Sequence, residues 1–218
     1  MQLHCFTFNP FQENTYILFD ETLECAIVDP GCMDDSEREE LVHFIEKSNL
    51  KPVLLLNTHS HIDHMVGNAF VKQKYNIPFL LHKNELPILH SAPETGKKYG
   101  VFVTPSPEPD RFIEENEIIR FGNTELKTLY TPGHAPGEVS FYHEESKTLI
   151  AGDVLFNGSI GRYDFPLSDY ETLMQSIFQK LLVLPDDVKV FCGHGSSTTI
   201  GKEKRTNPFL LEHAEALK

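Results

Sequence analysis

The chain has 218 residues, 40% of them hydrophobic and 23% charged, with a formal net charge of −13. That balance excludes a disordered, collagen-like or coiled-coil chain, and the acidic surplus argues against nucleic-acid phosphates or anionic membranes as partners. The longest apolar runs, such as Val53-Leu54-Leu55-Leu56, are strand-sized, well below the ~18 residues of a membrane span.

The start, Met1-Gln2-Leu3-His4-Cys5, lacks a basic segment followed by an apolar one, so no secretory signal is expected. Residues 2–8, 15–19 and 25–29 read as short strands separated by turns at Asn9-Pro10 and Asp29-Pro30-Gly31. A helix over about 36–48 follows, capped by Asp35 or Ser36, with Leu41, Val42, Phe44 and Ile45 on its apolar side. Residues 53–57 read as a strand buried on both faces. A helix is expected over 64–75, a strand over 78–81 and a short helix over 83–90. The stretch 91–116, with Pro93, Pro105, Pro107 and Pro109, is expected to be an irregular loop, either a lid or plain surface. Strands follow at 117–121, 125–130, 138–143 and 147–151, then a helix over 169–182 capped by Ser168 or Asp169. A strand at 188–192 and a short helix from Pro208 to Lys218 complete the order. The pattern predicts two packed sheets with helices outside, an α/β sandwich, in a single domain over 1–218. Cys5, Cys25, Cys32 and Cys192 form no C-x-x-C pair, which points to a reduced, cytoplasmic protein.

Directly after the strand at 53–57 comes Thr58-His59-Ser60-His61-Ile62-Asp63-His64. On an extended segment His59 and His61 point to the same side; the turn that follows brings Asp63 and His64 round beside them. Neutral imidazoles and carboxylates suit zinc, iron or manganese, and burying such a cluster without a cation is costly. Three further candidates sit at strand ends: His134 in Thr131-Pro132-Gly133-His134, Asp153 in Ala151-Gly152-Asp153, and His194 in Cys192-Gly193-His194-Gly195. Each is weak alone. Together the five histidines and two aspartates suffice for two metal ions sharing a bridge.

With H-x-H-x-D-H at 59–64 and the later His134, Asp153 and His194, the chain resembles the metallo-β-lactamase superfamily over essentially its whole length. The resemblance implies a four-layer αββα sandwich of two mixed sheets, with the metals at the edge between them. It implies that His59, His61 and His134 bind a first ion, that Asp63, His64 and His194 bind a second, and that Asp153 bridges both. Asp29 matches a position that supports the ligand loop.

Typical zinc β-lactamases carry Cys where this chain has Asp153, and often Arg where it has His64. Flavodiiron proteins usually carry Glu at His61, and nucleases of the superfamily generally need further domains or basic arms. The segment from Gly152 to Asp164 resembles the glyoxalase II group, and the ending from Gly193 to Phe209 is similar to its short single-domain bacterial members, which lack the helical domain that helps hold glutathione. The expected activity is hydrolysis of a thioester, such as S-lactoylglutathione or a related small acyl-thiol, by hydroxide generated at two divalent ions. Zinc is preferred, iron or manganese being acceptable; Asp63 and Asp153 are the catalytic carboxylates. The competing reading is a persulfide dioxygenase with one iron on His59, His134 and Asp153; a metal buffer without turnover is a third. Arg162 is expected either to clamp a substrate carboxylate or to pair with Asp164 or Asp29. Phe11, Tyr99 and Phe102 line the mouth or serve as packing, and Cys192 is a core residue.

Overall fold

The structure, a computed structural model, describes residues 1–216. β1 (Gln2–Phe8), β2 (Glu13–Phe19) and β3 (Glu24–Val28) form an antiparallel meander. The chain then alternates helices and strands: α1 (Asp35–Lys47), β4 (Lys51–Leu56), α2 (Ile62–Met65), α3 (Asn68–Tyr75), β5 (Phe79–Leu81), α4 (Leu86–Tyr99) and β6 (Arg111–Phe112). β3 to β6 pair in parallel and complete a mixed sheet in the order β1-β2-β3-β4-β5-β6. The second half supplies β7 (Ile118–Phe121), β8 (Thr124–Tyr130), β9 (Val139–His143), β10 (Thr148–Gly152), the small hairpin β11 (Leu155–Phe156) and β12 (Ser159–Ile160), then α5 (Tyr170–Ser176), β13 (Lys189–Cys192), β14 (Thr198–Thr199), α6 (Ile200–Thr206) and α7 (Pro208–Ala216). Its sheet runs β14-β13-β10-β9-β8-β7.

Strand alternation builds the layers. In β2 and β3, Tyr16, Leu18, Ala26 and Val28 face the second sheet, where Leu126, Val139 and Phe141 meet them. The intervening Ile17, Cys25 and Ile27 face the helices with Leu41 and Ile45 of α1. A third apolar layer packs Leu149, Ala151 and Val190 against Leu173 and Ile177. Three apolar layers require four layers of structure, helix–sheet–sheet–helix. No helix among the described residues is long and apolar enough to cross a membrane.

Several boundaries differ from expectation. The N-cap of α1 is Asp34, which accepts from the Glu37 backbone N–H while the Glu37 carboxylate accepts from the Asp34 N–H, a reciprocal cap that displaces Asp35 and Ser36. The helix expected over 64–75 is two helices. Gly67 donates to the Pro30 carbonyl, and a Cβ there would lie 2.5 Å from that oxygen, so the chain turns at the one residue that fits.

The loop expected over 91–116 is helical as far as Tyr99: α4 carries Pro87 in its first turn and tolerates Pro93 inside. Its buried face of Leu89, Ala92 and Gly96 anchors it against Val103, and packing overrides propensity there. The helix at 169–182 is α5 followed by a π turn, Ile177–Leu181. The short β6, β11, β12, β14 and α6 have no signal strong enough to predict. The expected C-terminal helix starts at Pro208 as predicted, and its last two residues lie outside the described residues.

The sheets are joined at both ends of β2. At one end the Asp20 carboxylate accepts from Thr22 within its own turn and from Asn123 N and Thr124 Oγ1 of the β7–β8 turn, at 2.7 and 2.8 Å. Near the other end Asn14 Nδ2, and from mid-strand Tyr16 OH, donate to the carbonyl of Cys192, the last residue of β13.

Candidate metal centre

Four loops converge at one edge of the sandwich: those after β4, β8, β10 and β13. Of these strands β4, β10 and β13 have a parallel neighbour, and the carboxyl ends of parallel strands are where open α/β sheets present functional groups. The structure brings all seven predicted ligands together. Donor atoms of His59, His61 and His134 lie within 4.8 Å of one another, as do those of Asp63, His64 and His194. Asp153 stands between the two sets. Its oxygens lie 3.5 Å from His134 Nε2 on one side, and 3.4 and 3.5 Å from His64 Nε2 and His194 Nε2 on the other.

The partner of each imidazole's outer nitrogen fixes its tautomer. His134 Nδ1–H donates to the Arg162 carbonyl at 2.8 Å. His194 Nδ1–H donates to the Phe11 and Gln12 carbonyls at 3.1 and 3.2 Å. His64 Nδ1–H donates to Asp29 at 3.2 Å. Thr58 Oγ1 gives its proton to Asp29 and so accepts from His59 Nδ1 at 3.1 Å. In each case Nε2 turns its lone pair inward. His64 Nε2 and His194 Nε2 then face each other at 3.3 Å as two acceptors, which is repulsive unless a cation or a proton lies between them.

The charges tell the same story. Burial, then the neighbouring imidazoles, drives His59 well below its ordinary value, and burial and His134 push His61 down to about 3. Burial would lower His64 and His194 too, but Asp153 and Asp63 reverse the sign and raise both. Burial would raise Asp153, but His64 and His134 outweigh it and hold the carboxyl well below the usual range. His59 Nε2 and Asp153 Oδ1 are buried without a hydrogen-bond partner among the described residues, which a native interior rarely tolerates. Orphaned donors, inward lone pairs and a carboxylate shared by both sets fit divalent cations.

Asp29 lies where the resemblance put it. Held at a left-handed φ of 49°, it accepts from Thr58 N at 2.7 Å and from Asn57 Nδ2 at 3.2 Å. Its oxygens are therefore occupied as a brace, although it sits close enough to His59 and His64 to group with them. Three buried glutamates complete the surround and were not predicted. Glu85 accepts from Ser60 N at 2.7 Å and Gly137 N at 2.6 Å, and burial pushes its carboxyl up to about 7. Glu138 accepts from Asp153 N at 2.7 Å and lies 3.6 Å from His59 Nδ1. Glu13 accepts from Thr15 Oγ1 at 2.8 Å and lies 3.9 Å from His64 Nδ1. Burial raises both well above the carboxylate range. Nothing in the sequence separates these three from the chain's other acidic residues.

At the mouth, Arg162 makes a bidentate pair with Asp164 at 2.9 and 3.0 Å and stacks 4.0 Å over Phe165; of its expected partners the structure selects Asp164. The Phe165 ring lies 5.2 Å from His61. Phe11 packs edge-on to Tyr99 at 6.0 Å, and Phe102 is 85% exposed. Cys192 is buried core, as expected, and its backbone carbonyl, not its thiol, takes part in the site.

A model of the metallo-beta-lactamase superfamily matches residues 8–194. The chain is 40% identical over 212 residues to the hydroxyacylglutathione hydrolase GloC of Haemophilus influenzae, covering 96% of this chain and 98% of that one. It is similar to the crystal structure of BLEG-1, a B3 metallo-beta-lactamase, with a TM-score of 0.88 and 35% identity over 96% of this chain and 99% of that one. It is also similar to TTHA1623, solved in a di-iron-bound form, with a TM-score of 0.86 and 37% identity over 95% of this chain and 100% of that one.

Proposed function

Because the chain belongs to the metallo-β-lactamase superfamily, we propose that it is a binuclear metal-dependent hydrolase that cleaves thioesters of the S-lactoylglutathione type. The observation that carries this reading is Asp153, placed within 3.5 Å of imidazoles from both clusters. His59, His61 and His134 would hold one ion and Asp63, His64 and His194 the other, with Asp153 shared. Divalent ions bound there would polarise a carbonyl and lower the pKa of a water toward neutrality. Zinc is our preferred metal, and the di-iron form of TTHA1623 makes iron the alternative.

The chain's own part is orientation and proton handling. Asp29, Thr58 Oγ1 and the Arg162 carbonyl hold the ring planes of His64, His59 and His134, so the donors are arranged before substrate arrives. Asp63 Oδ2 lies 3.2 Å from His194 Nε2 on the more open side of the site; it is placed to take the proton a water gives up on attack. The acyl carbon gains that oxygen as the C–S bond breaks. A thiolate leaves readily, so no strong general acid is needed opposite Asp63. Arg162 would exchange Asp164 for a substrate carboxylate, with Phe165, Phe11 and Tyr99 as apolar walls. A small acyl-thiol is the substrate class we assign, in place of nucleic acid or lipid, given the charge of −13. The four unpaired cysteines support a reducing, cytoplasmic setting.

The test starts with metal content on protein purified without chelator, by elemental mass spectrometry. About two metals per chain, with chelator-sensitive hydrolysis of S-lactoylglutathione, is the expected result. One iron per chain, no second metal on reconstitution and oxygen consumption with a persulfide would replace this reading with a mononuclear dioxygenase. The likeness to a B3 metallo-beta-lactamase supplies the second hydrolytic reading; faster turnover of a chromogenic cephalosporin than of the thioester would favour it.

A further inference from the structure

The β1–β2 hairpin contributes no ligand to either cluster, yet its polar contacts collect on one of them. The Phe11 and Gln12 carbonyls receive the His194 Nδ1–H at 3.1 and 3.2 Å. Asn14 N donates to Gly193 O at 2.7 Å, and Asn14 Nδ2 donates to Cys192 O and Gly195 O at 3.0 and 2.8 Å. Tyr16 OH donates to Cys192 O at 2.5 Å. The backbone carbonyls of residues 192, 193 and 195, on both sides of His194, are thus all held from the other sheet. At the tip, Asn9 Nδ2 donates to Asp63 O and Gly31 O, each at 3.0 Å. The turn is stiffened by left-handed Asn9 and Gln12, with φ of 54° and 57°, and by Phe11 N donating to Asn9 Oδ1 at 3.0 Å.

The first cluster is braced elsewhere. His59 leans on Thr58, His134 on the Arg162 carbonyl, and Ser60, between His59 and His61, on Glu85. Toward that side, among the described residues, the hairpin reaches through Thr15 Oγ1 to the Asp29 carbonyl at 2.9 Å.

We infer that the β1–β2 hairpin is the positioning element of the Asp63–His64–His194 cluster, with Asn14 as its principal residue, and that it governs occupancy of that cluster independently of the other. The inference rests on reading the two clusters as separate ion sites. Its physical basis is that His194 sits between two glycines and that both acceptors of its Nδ1–H are hairpin carbonyls, so another element fixes the ring. Outer partners of metal ligands typically set metal affinity by about 10–100-fold.

The experiment is equilibrium dialysis of chelator-stripped protein against Zn²⁺ alone, with Co²⁺ absorption spectra read in parallel and circular dichroism as the check on folding. The unsubstituted chain is expected to take up two ions. Asn14→Ala is expected to keep one ion at unchanged affinity and to weaken the other by about 10–100-fold, with the cobalt spectrum losing one of two components. Asn9→Ala, at a half-buried turn, is expected to shift the same ion in the same direction by less, and it carries the test if Asn14→Ala does not fold. Equal weakening of both ions, or no change in either, would overturn the inference while leaving the binuclear reading intact. An unsubstituted chain that binds a single ion would overturn both.

Discussion

A single carboxylate, Asp153, lies within 3.5 Å of imidazole nitrogens from both clusters, so truncating it removes a charge from two places at once. Its Oδ1 accepts no hydrogen bond from the described residues, and a Cβ at position 193 would lie 2.0 Å from that atom. Gly193 therefore leaves the space that the carboxylate occupies. Asp153→Ala is expected to lower kcat/KM by more than the ~10–100-fold that loss of an outer partner costs. Bound metal is expected to fall by at least one ion per chain, with the far-ultraviolet circular dichroism unchanged. Full activity with full metal content in that variant would remove Asp153 from the site. By contrast, Arg162 is expected to act at the level of substrate: it is tied to Asp164 and touches the clusters only through its backbone carbonyl.

At the scale of elements, β2 ties the two sheets together, with Asn14 near one end, Tyr16 at its centre and Asp20 just past the other end. Burial opposes ionisation of Asp20, but its hydrogen bonds with Thr22, Thr124 and Asn123 prevail and bring the pKa down to about 2. A depressed carboxyl stabilises the fold fully above its unfolded value near 3.8, and that contribution disappears as pH falls through about 2. Asp20→Ala is accordingly expected to cost about 2 kcal/mol at pH 7. The difference from the parent should shrink between pH 4 and pH 2, read from urea unfolding midpoints; a pH-independent difference would show that its contacts stabilise without proton linkage. Contacts of this kind explain what the sequence does and does not disclose. Ten strands and the H-x-H-x-D-H loop are legible because alternation and ligand spacing are local patterns. The Asn14–Cys192 bond spans 178 positions, and Glu13, Glu85 and Glu138 look like surface acids until the fold buries them. The helix through Pro93 and the break at Gly67 are missed for a related reason: tertiary packing decides both against local propensity.

Over the whole molecule, the clusters couple folding to metal and to pH. The unfolded chain lacks the converging geometry, so an ion held at 100 times its dissociation constant adds about 2.7 kcal/mol to stability. For a chain of this length that is roughly 5–10 °C of melting temperature per ion. Stripping the metal with a chelator is expected to lower the midpoint by that amount, and returning Zn²⁺ to restore it. The gap should also depend on pH, and its sign follows from the raised groups. His64 and His194 have raised values in the metal-free fold. Their stabilisation is fully present below the unfolded value near 6.5 and is lost as pH rises through their folded values. Glu13, Glu85 and Glu138, also raised by burial, act in the same direction, because the unfolded chain releases their protons first. His59 and His61 are lowered by burial and their neighbours; they favour the fold as pH rises toward 6.5 and add no slope above it. Metal-free protein is therefore expected to lose stability as pH rises above 6.5. Metal binding, which requires deprotonated ligands, strengthens over the same interval. The difference in melting temperature between loaded and stripped protein is expected to widen from pH 7 to pH 9 in scanning calorimetry at fixed free Zn²⁺. A constant or narrowing difference would mean that protons do not take the cation's place among His64, His194 and their carboxylates.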